Sequence, residues 1–451
     1  MDETRSPLTR PTTTPSRAQR RAAARRRVTA VGSAAVLAST AAAFVTGTAG
    51  VASAAGYSVT TCADTGVGSL RQAIYDANVH DGPDVITITA TCTVSGPVAV
   101  GSLMDVTDSG GGDGVTIVGP GADSFVLDGG GSSQIFYVGD RTDFSLSGVT
   151  MQHAAGVSAV RGNGAGAIVF DGVVFADNSG FGGAGMSAYH LDSVTITDTT
   201  FVGNASSGNA GGLYLQNAGP ITISSSTFAD NTAGGNGGGI LIYTNHDDVE
   251  IANSTFSGNT GARGGGLYAD LFGDPSPDAG LEIVFCTFAD NVATTGAGGG
   301  LNVRYADAVT MIGTAFAGNA ASTAGTDEVY TSVVPTEHDN LFEGDVSGFT
   351  PDASDLTGVD PLFGALADNG GPTQTRALGA GSPAIDAGPT SFPSFPGDTS
   401  DQRGEPYLRT YGGRSDIGAF EAQPEPTPPG PGPGPAPQPE PEPEPEPTFT
   451  G

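Results

Sequence analysis

Ile221-Thr222-Ile223, Phe228-Ala229-Asp230-Asn231 and Gly237-Gly238-Gly239-Ile240 follow one another along the chain, and the same order of phrases returns on either side. The Phe-x-x-Asn phrase recurs as Phe175 to Asn178, Phe201 to Asn204, Phe256 to Asn259, Phe288 to Asn291 and Phe316 to Asn319. The steps between successive phenylalanines are 26, 27, 28, 32 and 28. Alternating apolar pairs precede the phrase at Val249 and Ile251, Leu281 and Ile283, and Val309 and Met311. Glycine clusters closed by an apolar residue follow it, as in Gly211-Gly212-Leu213, Gly264-Gly265-Gly266-Leu267 and Gly298-Gly299-Gly300-Leu301. A period of this size marks a solenoid, and apolar alternation with a period of two makes its coils from short strands. The Gly, Thr, Ser and Asn between the strands exclude helices of about ten residues. A disordered Gly-rich chain would not keep Phe, Asn and Gly in phase over six units.

Stacked in register, equivalent residues of adjacent coils become neighbours at about 4.8 Å. The asparagines then form a ladder, since each amide can bond both neighbours and Asn tolerates the left-handed corner conformation. The phenylalanines fill the interior beside it. Less regular coils are expected at Val115–Val118, Phe125–Leu127, Ile135–Val138, Phe144–Met151 and Ala167–Phe170, for about nine or ten in all. The fold class is all-β: a right-handed parallel β-helix over residues 101–345, with one short amino-terminal helix.

The first 54 residues read as an export signal: basic from Arg17 to Arg27, then small and apolar from Val28 to Val45, with Ala52-Ser53-Ala54 as a cleavage pattern. Arg26-Arg27 lacks the bulky apolar pair of a twin-arginine motif, which leaves the export route open. Residues 55–451 hold nine Arg, no Lys and 46 Asp plus Glu, a net charge of −37. That charge repels nucleic acid and other polyanions. It is read as a solubilising surface in preference to calcium sites, so no cofactor is expected and calcium is the one cation considered. Cys62 and Cys92 are expected to pair, as suits an exported chain. Cys286 takes the repeat position of Ser254 and is expected to be a small buried packing residue. No Cys/His spacing suggests a metal site.

The ends of a solenoid need cover. Residues 55–100 are expected to form the amino-terminal cap, with Leu70, Ala73, Ile74 and Ala77 on one face of a helix. Gly68-Ser69-Leu70-Arg71-Gln72-Ala73-Ile74 followed by Asp84-Val85-Ile86-Thr87-Ile88 resembles the cap of secreted bacterial β-helix proteins with a C-S-L-R-E-A-I-type motif, with Gly68 at the motif's cysteine position. Downstream, five blocks resemble the choice-of-anchor Q domain. They are Asp360-Pro361-Leu362-Phe363, Asn369-Gly370-Gly371-Pro372-Thr373, Gly381-Ser382-Pro383-Ala384-Ile385-Asp386-Ala387-Gly388, Asp401-Gln402-Arg403-Gly404 and Asp416-Ile417-Gly418-Ala419-Phe420-Glu421. The resemblance implies a bacterial surface or secreted β-helix protein and carries no agreed activity. Residues 346–421 are accordingly read as a carboxy-terminal cap in which Asp401, Arg403, Asp416 and Glu421 form a structural ion-pair network. Residues 422–451 are read as a disordered Pro/Glu-rich spacer. No transmembrane anchor is expected in the mature chain, and covalent wall anchoring lacks its sorting motif.

Two functional readings compete. Polar residues gather where each coil turns after the strand that follows its glycine cluster: His190 and Asp192, Asn217, His246, Asp247 and Asp248, Asp270, Asp274 and Asp278, Arg304 and Asp307. Among them Asp247, Asp248 and Asp270 are the candidate carboxylates for acid and base in glycoside cleavage. Turns use Asp and Asn for their own sake, however. Lyase chemistry lacks a lysine base, so an enzyme would be a hydrolase of a neutral polysaccharide. Tyr189, Tyr214, Tyr243 and Tyr268 stand at odd offsets from the inward residues Met186, Leu213, Ile240 and Leu267 and so point outward, where an aromatic row could stack on sugar rings, contact a partner protein, or simply cover the sheet face with no ligand. The preferred reading is a secreted or cell-surface monomer with a structural, adhesive or glycan-binding role. Its partner would be an extracellular glycan or a surface protein.

Overall fold

The computed structural model describes residues 54–95, 104–107, 114–139, 141–243, 247–272 and 280–424. The stretches read from sequence as an export signal and a spacer lie almost entirely outside the described residues, as do His246, Asp274 and Asp278. One coil shows the plan. Ile221–Ser224 lies in sheet I, Thr227–Ala229 in sheet II, Thr232–Ala233 in sheet III and Ile240–Tyr243 in sheet IV, after which the chain re-enters sheet I at Val249–Ala252. Sheets I and II have 11 strands each, sheet IV has 10 and sheet III has 6. Every neighbouring pair in these sheets is parallel, as in Ile223↔Ile251 and Phe228↔Phe256. The chain is a right-handed parallel β-helix.

The core follows from the alternation. Ile196, Ile223, Ile251, Ile283 and Met311 stack on the inner face of sheet I, all fully buried. Phe175, Phe201, Phe228, Phe256, Phe288 and Phe316 form a column with ring centroids 4.4–5.0 Å apart and interplanar angles of 10° or less. Beside it, the asparagines within the ladder fill all their side-chain bonding capacity. Asn231 Nδ2 donates to Asn259 Oδ1 and to the Phe201 carbonyl, both at 2.9 Å, while its Oδ1 accepts the Asn204 N–H at 3.1 Å and Asn204 Nδ2 at 2.9 Å. The glycines open the corner beside this ladder: a β-carbon on Gly212 would lie 2.7 Å from the Gly239 carbonyl oxygen. A second ladder runs at the next corner. Thr199 N–H donates to Ser226 Oγ and Ser226 N–H to Ser254 Oγ, each at 3.2 Å, and Cys286 N–H donates to Thr314 Oγ1 at 3.3 Å. Cys286 is a rung of this ladder, its thiol donating to the Val284 carbonyl, and burial pushes that thiol up to about 12. It stays a neutral thiol.

The third residue of the Phe-x-x-Asn phrase alternates strictly: Asp177, Gly203, Asp230, Gly258, Asp290, Gly318, every one with φ between 50° and 69°. Each Asp carboxylate lies over the glycine of the next coil, where a β-carbon would collide with it. Alternation keeps like charges two coils, about 9.6 Å, apart instead of one.

At the amino end, Ser69 caps the helix Leu70–Asn78, and Leu70, Ala73, Ile74 and Ala77 are its buried face. The helix packs against Ala55–Val59, Asp84–Ile88 and Met104–Val106. Ala55–Val59 and Asp84–Ile88 are already paired rungs of sheet I, and Cys92–Ser95 is the first of sheet II. Residues 55–95 are thus part of the solenoid as well as its cover. Cys62 and Cys92 are joined by a disulfide with Cα atoms 6.1 Å apart, closing a segment of 30 residues. Replacing both cysteines by alanine is expected to cost about 3.5 kcal/mol by the loop-entropy argument. A thermal scan of the variant beside the oxidised wild type would show it, and an unchanged midpoint would mean that the helix packing alone sets this end.

At the other end the expectation of a cap over the open coil needs correction. Rungs continue to Leu356–Thr357, and Phe349 meets the edge of Phe342, the last ring of the column. The chain then folds back along the flank. Thr227 Oγ1 donates to the Gln374 carbonyl at 2.6 Å, Gln402 Nε2 donates to Thr227 Oγ1 at 2.8 Å, and the Ala419 N–H donates to Thr287 Oγ1 at 3.0 Å. Phe392 and Phe395 cover Ala252, Val284, Phe285 and Ile312. The reason is chemical: an outward threonine row on sheet II beside an outward apolar stripe at the corner of sheet I offers a dock that the coil end does not. Within the segment, Arg403 pairs with Asp401 at 2.6 Å and Arg409 with Glu421 at 2.9 Å, all four buried.

Candidate functional site

The outer face of sheet IV carries two registers. One runs Tyr137, Arg161, Ser187, Tyr214, Leu241, Tyr268, Asn302, Tyr330; the other runs Asn163, Tyr189, Gln216, Tyr243, Asp270, Arg304. The four tyrosines point outward but do not form a single row. Offsets of 1 and 3 belong to different registers, so Tyr214 and Tyr268 share one and Tyr189 and Tyr243 the other. Tyr189 and Tyr214 touch across them, with ring centroids 5.3 Å apart. Burial, with the neighbouring phenols of Tyr189 and Tyr243, pushes the Tyr214 hydroxyl up to about 12, so it remains a donor, bonded to Gln216 Oε1 at 2.9 Å.

Tyr268 is corrected as a stacking platform. It is only 3 % exposed, packed with Ala210, Leu241 and Tyr214, and its hydroxyl donates to Asp270 Oδ2 at 3.3 Å. Tyr243 is 40 % exposed and free to stack. Two rings absent from the sequence-based expectation extend it: Phe272 at 62 % and Tyr305 at 52 % exposure, with centroids 5.6 Å apart. Arg304 sits 5.0 Å from the Tyr305 ring and donates to its hydroxyl at 3.1 Å. Both rings come within two residues of the end of a sheet IV strand, where the chain turns and alternation no longer predicts direction. An aromatic at that turn was the available signal.

The candidate carboxylates divide. Asp270 ends its sheet IV strand in register between Tyr243 and Arg304; it is 8 % exposed, and its Oδ1 has no hydrogen-bond partner among the described residues. Asp247 and Asp248 lie in the turn leading to sheet I. Asp248 Oδ1 accepts the Gly280 N–H at 3.2 Å and its carbonyl accepts the Ile221 N–H at 3.0 Å, the work of a turn residue. Among the described residues no three His, Cys, Asp or Glu side chains group closely enough to hold a metal ion. No helix among them is long and apolar enough to cross a membrane. The corner at Asp270 therefore combines exposed rings with a buried carboxylate and the Arg304 guanidinium. Such a surface can stack on apolar faces and exchange hydrogen bonds with hydroxyls.

These features define a parallel β-helix with an aromatic corner. Residues 131–316 match the family model described as right handed beta helix region. No curated protein matches the chain. Among solved structures it is similar to the one titled crystal structure of pectate lyase Pel9A, at 16 % identity over 82 % of this chain and 96 % of that one, with a TM-score of 0.47.

Proposed function

We propose that this chain works outside the cell as a non-catalytic β-helix that holds a glycan on the corner of sheet IV. The observation that supports it is the exposed trio Tyr243, Phe272 and Tyr305 beside Asp270 and Arg304. Sugar rings present apolar faces to aromatic side chains and hydroxyls to planar polar groups, and both kinds of surface are adjacent here. The basic-then-apolar leader, the disulfide and the strong acidity support an extracellular setting. The acidity also argues against polyanionic glycans. Hydrolysis would need two carboxyl groups about 5–9.5 Å apart across a scissile bond. Against that reading, Asp270 has a tyrosine and an arginine as its register neighbours, and Asp248 serves a turn.

The test is a neutral-glycan array on the full exported chain, with product analysis of the same incubations. Binding without products is expected, and Tyr243→Ala with Tyr305→Ala should weaken it at least tenfold, by roughly 1 kcal/mol for each ring removed. Release of oligosaccharides, lost in Asp270→Asn, would replace this reading with the glycoside hydrolase.

A further inference from the structure

Both internal ladders have a direction. Side-chain and backbone N–H groups of one coil donate to the oxygen of the next coil, from Asn178 Nδ2 to Asn204 Oδ1 through to Asn291 Nδ2 on Asn319 Oδ1. The last rung of each ladder is therefore left with donors that require an acceptor beyond it. Carboxyl groups supply it in both cases. Glu328 accepts Asn319 Nδ2 on Oε2 and the Gly344 N–H on Oε1 at 3.1 Å, and it is 1 % exposed. The second ladder passes from the Thr314 N–H to Asn340 Oδ1 at 3.0 Å and from the Asn340 N–H to Asp355 Oδ1 at 2.8 Å.

Glu337 then competes with Asp355 for the same two donors. Asn340 Nδ2 donates to Glu337 Oε2 at 3.2 Å and to Asp355 Oδ1 at 3.3 Å, while the Asp352 N–H lies 2.8 Å from both Glu337 Oε1 and Asp355 Oδ2. Two carboxyl groups bound to one pair of donors lie side by side. The charged groups facing them are mostly acidic: Asp327 and Glu343 around Glu328, and Asp352 and Asp355 around Glu337, while the nearby bases His338 and Arg414 are both paired with Asp339 at 2.8 Å. Two anions in that place repel each other with few cations to relieve them.

We propose that Glu328 and Glu337, the latter set against Asp355 on shared donors, form a proton-dependent closure. Protonated Glu328 and Glu337 hold residues 323–357 on the end of the stack, and loss of these two protons loosens that end while the coils before it stay shut.

The titration follows the same geometry. Burial, outweighing the bonds from Asn319 and Gly344, raises Glu328 to about 7, and burial with the adjoining Asp355 carboxyl raises Glu337 to about 8. A raised carboxyl pKa means that the closed end binds the proton more tightly than the open one. The stabilisation is then complete below the ordinary range near 4.5 and falls away as pH climbs through 7 to 8.

Hydrogen exchange on the full chain at pH 5.5 and pH 8.5, corrected for intrinsic rates, reads this directly. Amide protection across residues 323–357 should drop roughly tenfold or more at the higher pH, while residues 221–270 keep theirs. Glu337→Gln should flatten most of the difference, and Asp355→Asn provides the same test should Glu337→Gln not fold. Equal protection of both segments at both pH values would overturn the proposal, as would a pH response unchanged in the folded variant.

Discussion

Asn231→Ala is expected to lower the stability of the solenoid by about 4 to 5 kcal/mol, well beyond an ordinary single substitution. The side chain lost is small, so the cost does not come from apolar burial. It comes from the partners. Asn204 would keep a backbone N–H and an Nδ2 hydrogen that both pointed at Asn231 Oδ1, in a place where residue 204 is fully buried. Each buried donor left without an acceptor costs about 1–3 kcal/mol, and the Phe201 carbonyl and Asn259 Oδ1 each lose a donor as well. The shift in urea midpoint measures it. Asn231→Asp separates the bonding from the shape, since it keeps the acceptors, loses the donors and brings a buried charge up to Asn259 Oδ1. Its folded pKa would be raised, so its deficit should shrink as pH falls below that value and return as pH rises. A cost under 1 kcal/mol for Asn231→Ala would mean that water replaces the amide and that the phenylalanine column carries the stack without the ladder.

That rung was readable because its neighbours in space are its own repeats. Phe228 meets Phe201 and Phe256, and Ile223 meets Ile196 and Ile251, so the residues that must match recur at a fixed interval and mark the register in the sequence. Contacts between unlike segments leave no such trace. Thr227 with Gln374 and Asn253 with Arg409 are 147 and 156 residues apart, and neither partner repeats. One hint did exist. Val284, Phe285 and Ile312 continue positions held by Ser224, Ser225 and Ala252 in earlier coils, and such residues after an alternating strand call for cover. The aromatic corner was half visible for a related reason. Alternation correctly sends Tyr243 and Tyr268 outward, but whether an outward ring meets solvent depends on what neighbouring coils lay over it. Tyr268 is sealed by Leu241 and Ala210, residues that the repeat does not hold constant.

The folded-back segment gives the other large effect, because its anchor is a buried ion pair. Arg409 is 1 % exposed; it donates to Glu421 Oε2 at 2.9 Å, to the Gly418 carbonyl at 3.0 Å and to Asn253 Oδ1 at 3.3 Å, with its guanidinium 4.3 Å from the Phe285 ring. Two of those groups, Asn253 and Phe285, belong to the coils, so this one side chain ties the segment to the solenoid. Arg409→Met fills similar space but leaves the Glu421 carboxylate buried without its cation, which is expected to cost about 4 kcal/mol. The loss should be local. Residues 363–424 should become sensitive to limited proteolysis and melt in a separate, earlier calorimetric transition, while the parallel coils keep the main one. Adding Glu421→Gln removes the stranded charge, and Gln can still accept one of the Tyr411 and Asp416 N–H bonds that Glu421 holds at 2.7 and 2.8 Å. The double variant should therefore recover at least half of the loss, because deleting both members of a buried pair costs far less than deleting one. Equal loss in the single and double variants would place the energy in the contacts of the guanidinium with Phe285 and Asn253. A single transition lowered as a whole would mean that segment and coils unfold as one unit.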